Sequence, residues 1–131
     1  MTQRTRFVLA RAAIGTLGIY HAIIGLMMLF TPLWFFENIG NFPPFNRHYL
    51  GDFGAYQLPL GIALIFAARE PFKHRLLIIS TIAANILHAF NHVYDDITTG
   101  LNWRWDTLAL LVLGFVYLGV VFLKDSTVRQ S

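Results

Sequence analysis

Apolar residues run almost unbroken through four stretches of this chain, and the polar residues gather between them. Charges are absent from Ala12 to Thr31 and from Thr107 to Leu123. Such windows match the roughly 20 apolar residues needed to cross about 30 Å of hydrocarbon. The pattern predicts four helical spans, at about 10–31, 50–68, 75–94 and 105–123. The first connection, "PLWFFENIGNFPPFNRHY", carries adjacent prolines and several aromatics. It is expected to lie along a membrane interface, because Trp and Tyr prefer headgroup depth and Pro-Pro resists a continuous helix. "REPFKH" is a tight basic turn. "DDITTGLNWRWD" is a third loop, with Gly100 as turn residue and Trp103 and Trp105 as interface anchors.

Composition sharpens this picture. Of 131 residues, 56% are hydrophobic and only 13% charged, where soluble domains run nearer a quarter charged. The opening "MTQRTRFVLARAAIG" has basic residues before an apolar run, as a signal peptide does. That run continues to Phe30 and "TPLWFFENIG" offers no small-residue cleavage site, so it reads as a retained first helix. The chain contains no repeat and no second domain, so residues 1–131 are expected to form a single transmembrane domain.

The charge distribution predicts an orientation. Arg4, Arg6, Arg11, Arg69, Lys73, Arg75, Lys124 and Arg129 fall on one side of the predicted spans, and only Arg47 and Arg104 on the other. Under the positive-inside rule both termini are cytoplasmic. The acids run the opposite way, with Glu37, Asp52, Asp95, Asp96 and Asp106 outside. The net charge of +3 is thus a topology signal, and no nucleic-acid partner is expected. The absence of cysteine excludes a disulfide framework, thiol redox relays, iron–sulfur ligation and Cys-based zinc sites. Compact size and the lack of a glycosylation motif fit a bacterial plasma membrane.

One polar feature breaks the apolar pattern. Thr81, Asn85, His88, His92 and Asp95 are spaced 4, 3, 4 and 3 apart, which lines one face of a helix. Ile79, Ile82, Ile86 and Phe90 stand opposite. Polar groups facing lipid are costly, so the stripe is expected to face a bundle interior. The first span offers His21, on one face with Gly18, Gly25 and Met28. The second adds Asp52, Gln57 and Pro59, whose ring leaves a carbonyl of the preceding turn without its donor. The fourth, with Tyr117, reads as packing surface. These groups predict an outward-facing polar cavity lined by His21, Gln57, Asn85, His88 and His92, with His48 and Asp52 at its rim.

Several chemistries fit such a cavity. A lipophilic ligand such as a quinone needs an apolar pocket with a few hydrogen-bonding groups, and His21, Gln57, Asn85, His88, His92 and Tyr56 are candidates to hold it. A divalent transition metal is the second, because HxxxH sets two imidazoles on one face. Its candidate ligands are His48, Asp52, His88, His92 and Asp95, with affinity falling below about pH 6.5 as imidazole takes up a proton. Haem b is the third: His21 and His88 would be axial ligands, with Gly18 and Gly25 making room for a porphyrin edge. Alternatively, the polar groups merely join helix to helix. No GxSxG or P-loop is present, and no carboxylate lies deep enough for proton conduction or for sterol-isomerase chemistry.

"RHYLGDFGAYQLPLGIALIFAAREP", Arg47 to Pro71, resembles the second-helix signature of small four-helix membrane proteins of the DoxX-like group. That group shows an Arg/Asp-and-Gly opening, then a glycine-rich helix ending in a basic turn. Chain length, helix count and the tight second loop resemble the group as well. Some of its members are similar to small subunits of quinone-linked oxidoreductases. The resemblance implies a four-helix membrane fold and favours a quinone-like ligand; it assigns no catalytic residue.

The expectation is therefore an all-α integral membrane four-helix bundle, both termini cytoplasmic, embedded in the lipid bilayer. It binds a lipophilic or redox ligand or serves as an accessory subunit of a membrane oxidoreductase. A partner membrane subunit or a homo-oligomer is compatible with the exposed aromatic loops. The competing expectation is a non-catalytic membrane scaffold or assembly protein.

Overall fold

In the computed structural model, residues 2–99 and Gly114 are described. These residues are all-helical. The elements are α1 (Gln3–Phe30), α2 (Pro32–Asn38), α3 (Arg47–Ala67) and α4 (Arg75–Thr99). Helices α1, α3 and α4 are each long and apolar enough to cross a membrane. The predicted spans 10–31, 50–68 and 75–94 thus fall on α1, α3 and α4. The fourth, 105–123, lies outside the described residues except for Gly114, which is helical and buried. Gly100, Trp103, Trp105 and Tyr117 lie outside them as well.

The helix ends follow local chemistry. Thr2 Oγ1 accepts the backbone N–H of Thr5 at 3.2 Å, so α1 starts some seven residues before its apolar run. This places Arg4 and Arg6 on the helix rather than ahead of it. Pro32 ends α1 and opens α2, since proline restricts the residue before it yet suits a first helical turn. Helix α2 is the element the hydrophobic pattern did not predict. Its seven residues are too few to show a helical period, and the prolines flanking the loop pointed away from helix. It closes where the N–H groups of Ile39 and Gly40 both donate to the Phe35 carbonyl. Asn46 caps α3, its Oδ1 accepting the N–H of Tyr49 at 3.0 Å. Helix α4 runs five residues past its predicted end. Asp95 and Asp96 read as a loop, but Asn91 Nδ2 donates to Asp95 Oδ2 at 3.1 Å and Thr98 Oγ1 to the Tyr94 carbonyl at 2.9 Å along the continuing helix.

The chain divides into two compact units. One is Ile14–Arg69; the other joins Met1–Ala13 to residues from Glu70 onward.

In the Ile14–Arg69 unit, α1 and α3 pack antiparallel through small residues. A Cβ added at Gly18 would sit 2.9 Å from the Gly61 carbonyl oxygen and 2.7 Å from the Ile65 nitrogen. One at Gly25 would meet Leu58 N at 2.5 Å and Cα at 2.8 Å, one at Gly54 the Gly25 oxygen at 2.9 Å, and one at Gly61 the backbone of Ala22. The two backbones are therefore in direct contact, as small-residue seams allow. Met28, Phe35 and Leu50 form a core beside this seam, with Ile24, Met27, Phe36 and Phe53 packed on it. Phe35 is the inward residue of α2, while Leu33 and Trp34 are exposed.

In the other unit, Ile78, Thr81, Ile82, Ala89 and Asp96 make the buried face of α4. A Cβ on Gly114 would lie 3.0 Å from Ile86 Cγ1, so the one described residue of the fourth predicted span packs on α4.

Candidate functional site

The candidate residues fall into two groups, one in each unit. In the Ile14–Arg69 unit, His21 follows Gly18 by three residues and precedes Gly25 by four. Gln57 stands in the same relation to Gly54 and Gly61. Each polar side chain therefore shares a face with a pair of glycines on its own helix. The result is a buried hydrogen bond inside the seam: His21 Nδ1 donates to Gln57 Oε1, and His21 is 3% exposed. This assigns the ring proton to Nδ1. The Tyr20 ring meets His21 edge-on, with centroids 5.4 Å apart.

This geometry revises two expectations. Gly18 and Gly25 do not leave room for a porphyrin edge, because Ile65, Gly61 and Leu58 of α3 occupy the space beside them. Tyr56 does not join Gln57 and His21. It is 78% exposed, since a step of one residue turns a helix by roughly 100° and carries Tyr56 off the seam. His48 and Asp52 form a separate pair, Nε2 to Oδ2 3.4 Å, both exposed at the start of α3.

On α4 the stripe Thr81, Asn85, His88, His92 and Asp95 forms a row of which only Thr81 belongs to the buried face. Thr81 is buried, Asn85 and His92 are half-buried and His88 is exposed. The interior positions are taken by Ile78, Ile82 and Ala89, which pack better than imidazoles. Of the residues expected opposite the stripe, Ile82 is thus buried, Ile86 packs on Gly114 and Phe90 is exposed. Thr81 Oγ1 donates to the Leu77 carbonyl and Asn85 Nδ2 to the Thr81 carbonyl, each at 2.9 Å.

The histidines above them pair with one another. Their rings stack with centroids 4.7 Å apart and planes 25° apart. The two Nε2 atoms are 2.9 Å apart, so one donates and the other accepts. Because α4 reaches Thr99, its midpoint falls at Leu87, and His88 stands at the middle of the helix.

Among the described residues no three His, Cys, Asp or Glu side chains converge on one point, so His48, Asp52, His88, His92 and Asp95 supply no cluster of three metal ligands there. One residue was expected only as an acid of the outer loop. Asp96 is buried, and its Oδ2 has no hydrogen-bond partner among the described residues. The seven-residue spacing of Ile82, Ala89 and Asp96 was the signal that puts it on the packed face. No family model matches the chain, and no curated protein or solved structure matches it either.

Proposed function

We propose that this is a multi-pass protein of a bacterial plasma membrane, a four-helix bundle with both termini cytoplasmic. In this reading it binds a lipophilic or redox ligand with a quinone-like headgroup, as a separate protein or as an accessory subunit of a membrane oxidoreductase. The binding element is the α4 row of Asn85, His88 and His92. The observation that carries this is the His88–His92 stack: two imidazoles, His88 at the middle of an apolar helix and His92 one turn beyond it, on the flank of that helix rather than in its packed face. Ionisable groups at such depth are expensive and are kept for function. A quinone carbonyl needs a donor and a quinol hydroxyl an acceptor, and an imidazole pair offers both. The resemblance of Arg47–Pro71 to DoxX-like proteins points the same way.

A second reading, a membrane scaffold without a ligand, is favoured by His21 and Gln57, whose hydrogen bond is spent on helix packing. Purification in mild detergent without added ligand separates the readings. A visible spectrum, elemental analysis and mass spectrometry of the organic extract would be compared between the wild type and His88→Ala. A copurified quinone lost on substitution, with melting unchanged, supports ligand binding. An empty wild-type protein that takes up no added ubiquinone analogue sinks it in favour of the scaffold. Stoichiometric metal or a Soret band would replace the quinone with one of the other two ligand classes.

A further inference from the structure

We propose that the amino-terminal turns of α1 and the turn before α4 together form a binding surface for an anionic phospholipid. The inference rests on the reading that α1 and α4 cross a bilayer.

Both segments belong to the same compact unit, and Phe72 ties them together. Its ring lies 6.4 Å from that of Phe7, and the Arg6 guanidinium lies over it at 4.8 Å. Arg6 and Phe7 of α1, which also carries Arg4 and Arg11, thus meet the turn that carries Lys73 and Arg75. Glu70 is the acid among them, and it is already bonded to Lys73 at 2.6 Å.

The arrangement of apolar residues gives the surface its chemistry. Arg4, Phe7, Val8 and Arg11 are spaced i, i+3, i+4 and i+7, and so form one face; all four are exposed. The two arginines stand about 10 Å apart along the axis, with Phe7 and the 56% exposed Val8 between them. On the other segment Leu76, 81% exposed, follows Arg75. The positive-inside rule accounts for the number and side of these charges. It requires neither the clasp through Phe72 nor the bare apolar side chains between the guanidiniums. A soluble anion has no use for the apolar groups. A molecule with a phosphate and acyl chains uses both, its phosphate between the guanidiniums and its chains along Phe7, Val8 and Leu76.

Native mass spectrometry of the full chain in mild detergent tests this, titrating phosphatidylglycerol against phosphatidylcholine of the same acyl composition and, separately, inorganic phosphate. The expected result is a preference for phosphatidylglycerol that falls about five-fold for Arg4→Gln or Arg11→Gln and about thirty-fold for the pair, as one surface cation contributes. Phosphatidylcholine affinity and melting temperature stay unchanged, and Arg47→Gln, in the other unit, has no effect. Equal affinity for the two lipids, a preference that survives the double substitution, or equal displacement by inorganic phosphate would overturn the proposal. Carbonate extraction of the membranes from which the protein is purified keeps the two readings apart. Release from the membrane sinks the bilayer reading and the lipid surface with it. Retention without a lipid preference sinks the lipid surface alone.

Discussion

At the residue scale, the three polar groups of greatest interest differ in how their hydrogen-bonding capacity is met. His21 is buried and bonded to Gln57 across the α1–α3 seam, so removing either partner breaks a polar link between the two helices. A double-mutant cycle with His21→Ala and Gln57→Ala, read by thermal unfolding in detergent, is expected to give a coupling of roughly 0.6–1.7 kcal/mol. A coupling of zero would mean the pair is not joined in the folded protein. Asp96 is the opposite case, a buried side chain whose Oδ2 has no hydrogen-bond partner among the described residues. Leaving a buried polar atom unsatisfied costs about 1–3 kcal/mol, so Asp96→Leu, which removes that atom, is expected to raise the melting temperature; a fall would show that the carboxyl group is itself required. His88 and His92 stack on each other on the flank of α4. Alanine at either is expected to leave melting within about 0.5 kcal/mol of wild type, the range of substitutions away from packed features, while abolishing binding of a ubiquinone analogue.

At the scale of elements, the α1–α3 crossing depends on glycines for the approach of two backbones, and this makes its glycines unequal. A Cβ at Gly61 would collide with the Ala22 backbone and the Gly18 carbonyl oxygen, whereas one at Gly51, in the same helix, would meet nothing within 4 Å. Gly51→Ala is therefore expected to stabilise by up to about 1 kcal/mol, the gain in helix propensity. Gly61→Ala is expected to destabilise by about 1–3 kcal/mol as the helices are pushed apart. Paired unfolding measurements check the contrast, and equal effects would refute the seam. Glycine spacing in both helices could be read from the sequence, as could the polar stripe of α4. Which face each helix packs could not. Thr81, Asn85, His88, His92 and Asp95 share a face by periodicity alone, but Ile78, Ile82 and Ala89 share the neighbouring one, and burial follows the face that fills space best. Helix α2 was illegible for a different reason: Phe35 is held by Met28 and Leu50, contacts no local pattern encodes.

At the scale of the molecule, the prediction concerns orientation. The chain lacks cysteine, so single cysteines can be introduced without a background. Thr2→Cys and His74→Cys are expected to label only after the membrane is made permeable, and Asn41→Cys to label in intact cells. Labelling of all three from outside would reverse or break the proposed topology. The apolar runs and their lengths were sufficient to predict α1, α3 and α4 as helices able to span a membrane, because hydrocarbon thickness and helical rise act on any chain of that composition. The partners were a matter for the fold. That His21 meets Gln57, that Gly18 and Gly25 receive α3, that Phe72 meets Arg6 and Phe7 of the amino-terminal turns, and that Asp96 rather than His88 is buried all depend on which helix faces meet. That choice is made by close packing between residues far apart in the chain, and a one-dimensional pattern contains the faces but not their pairing.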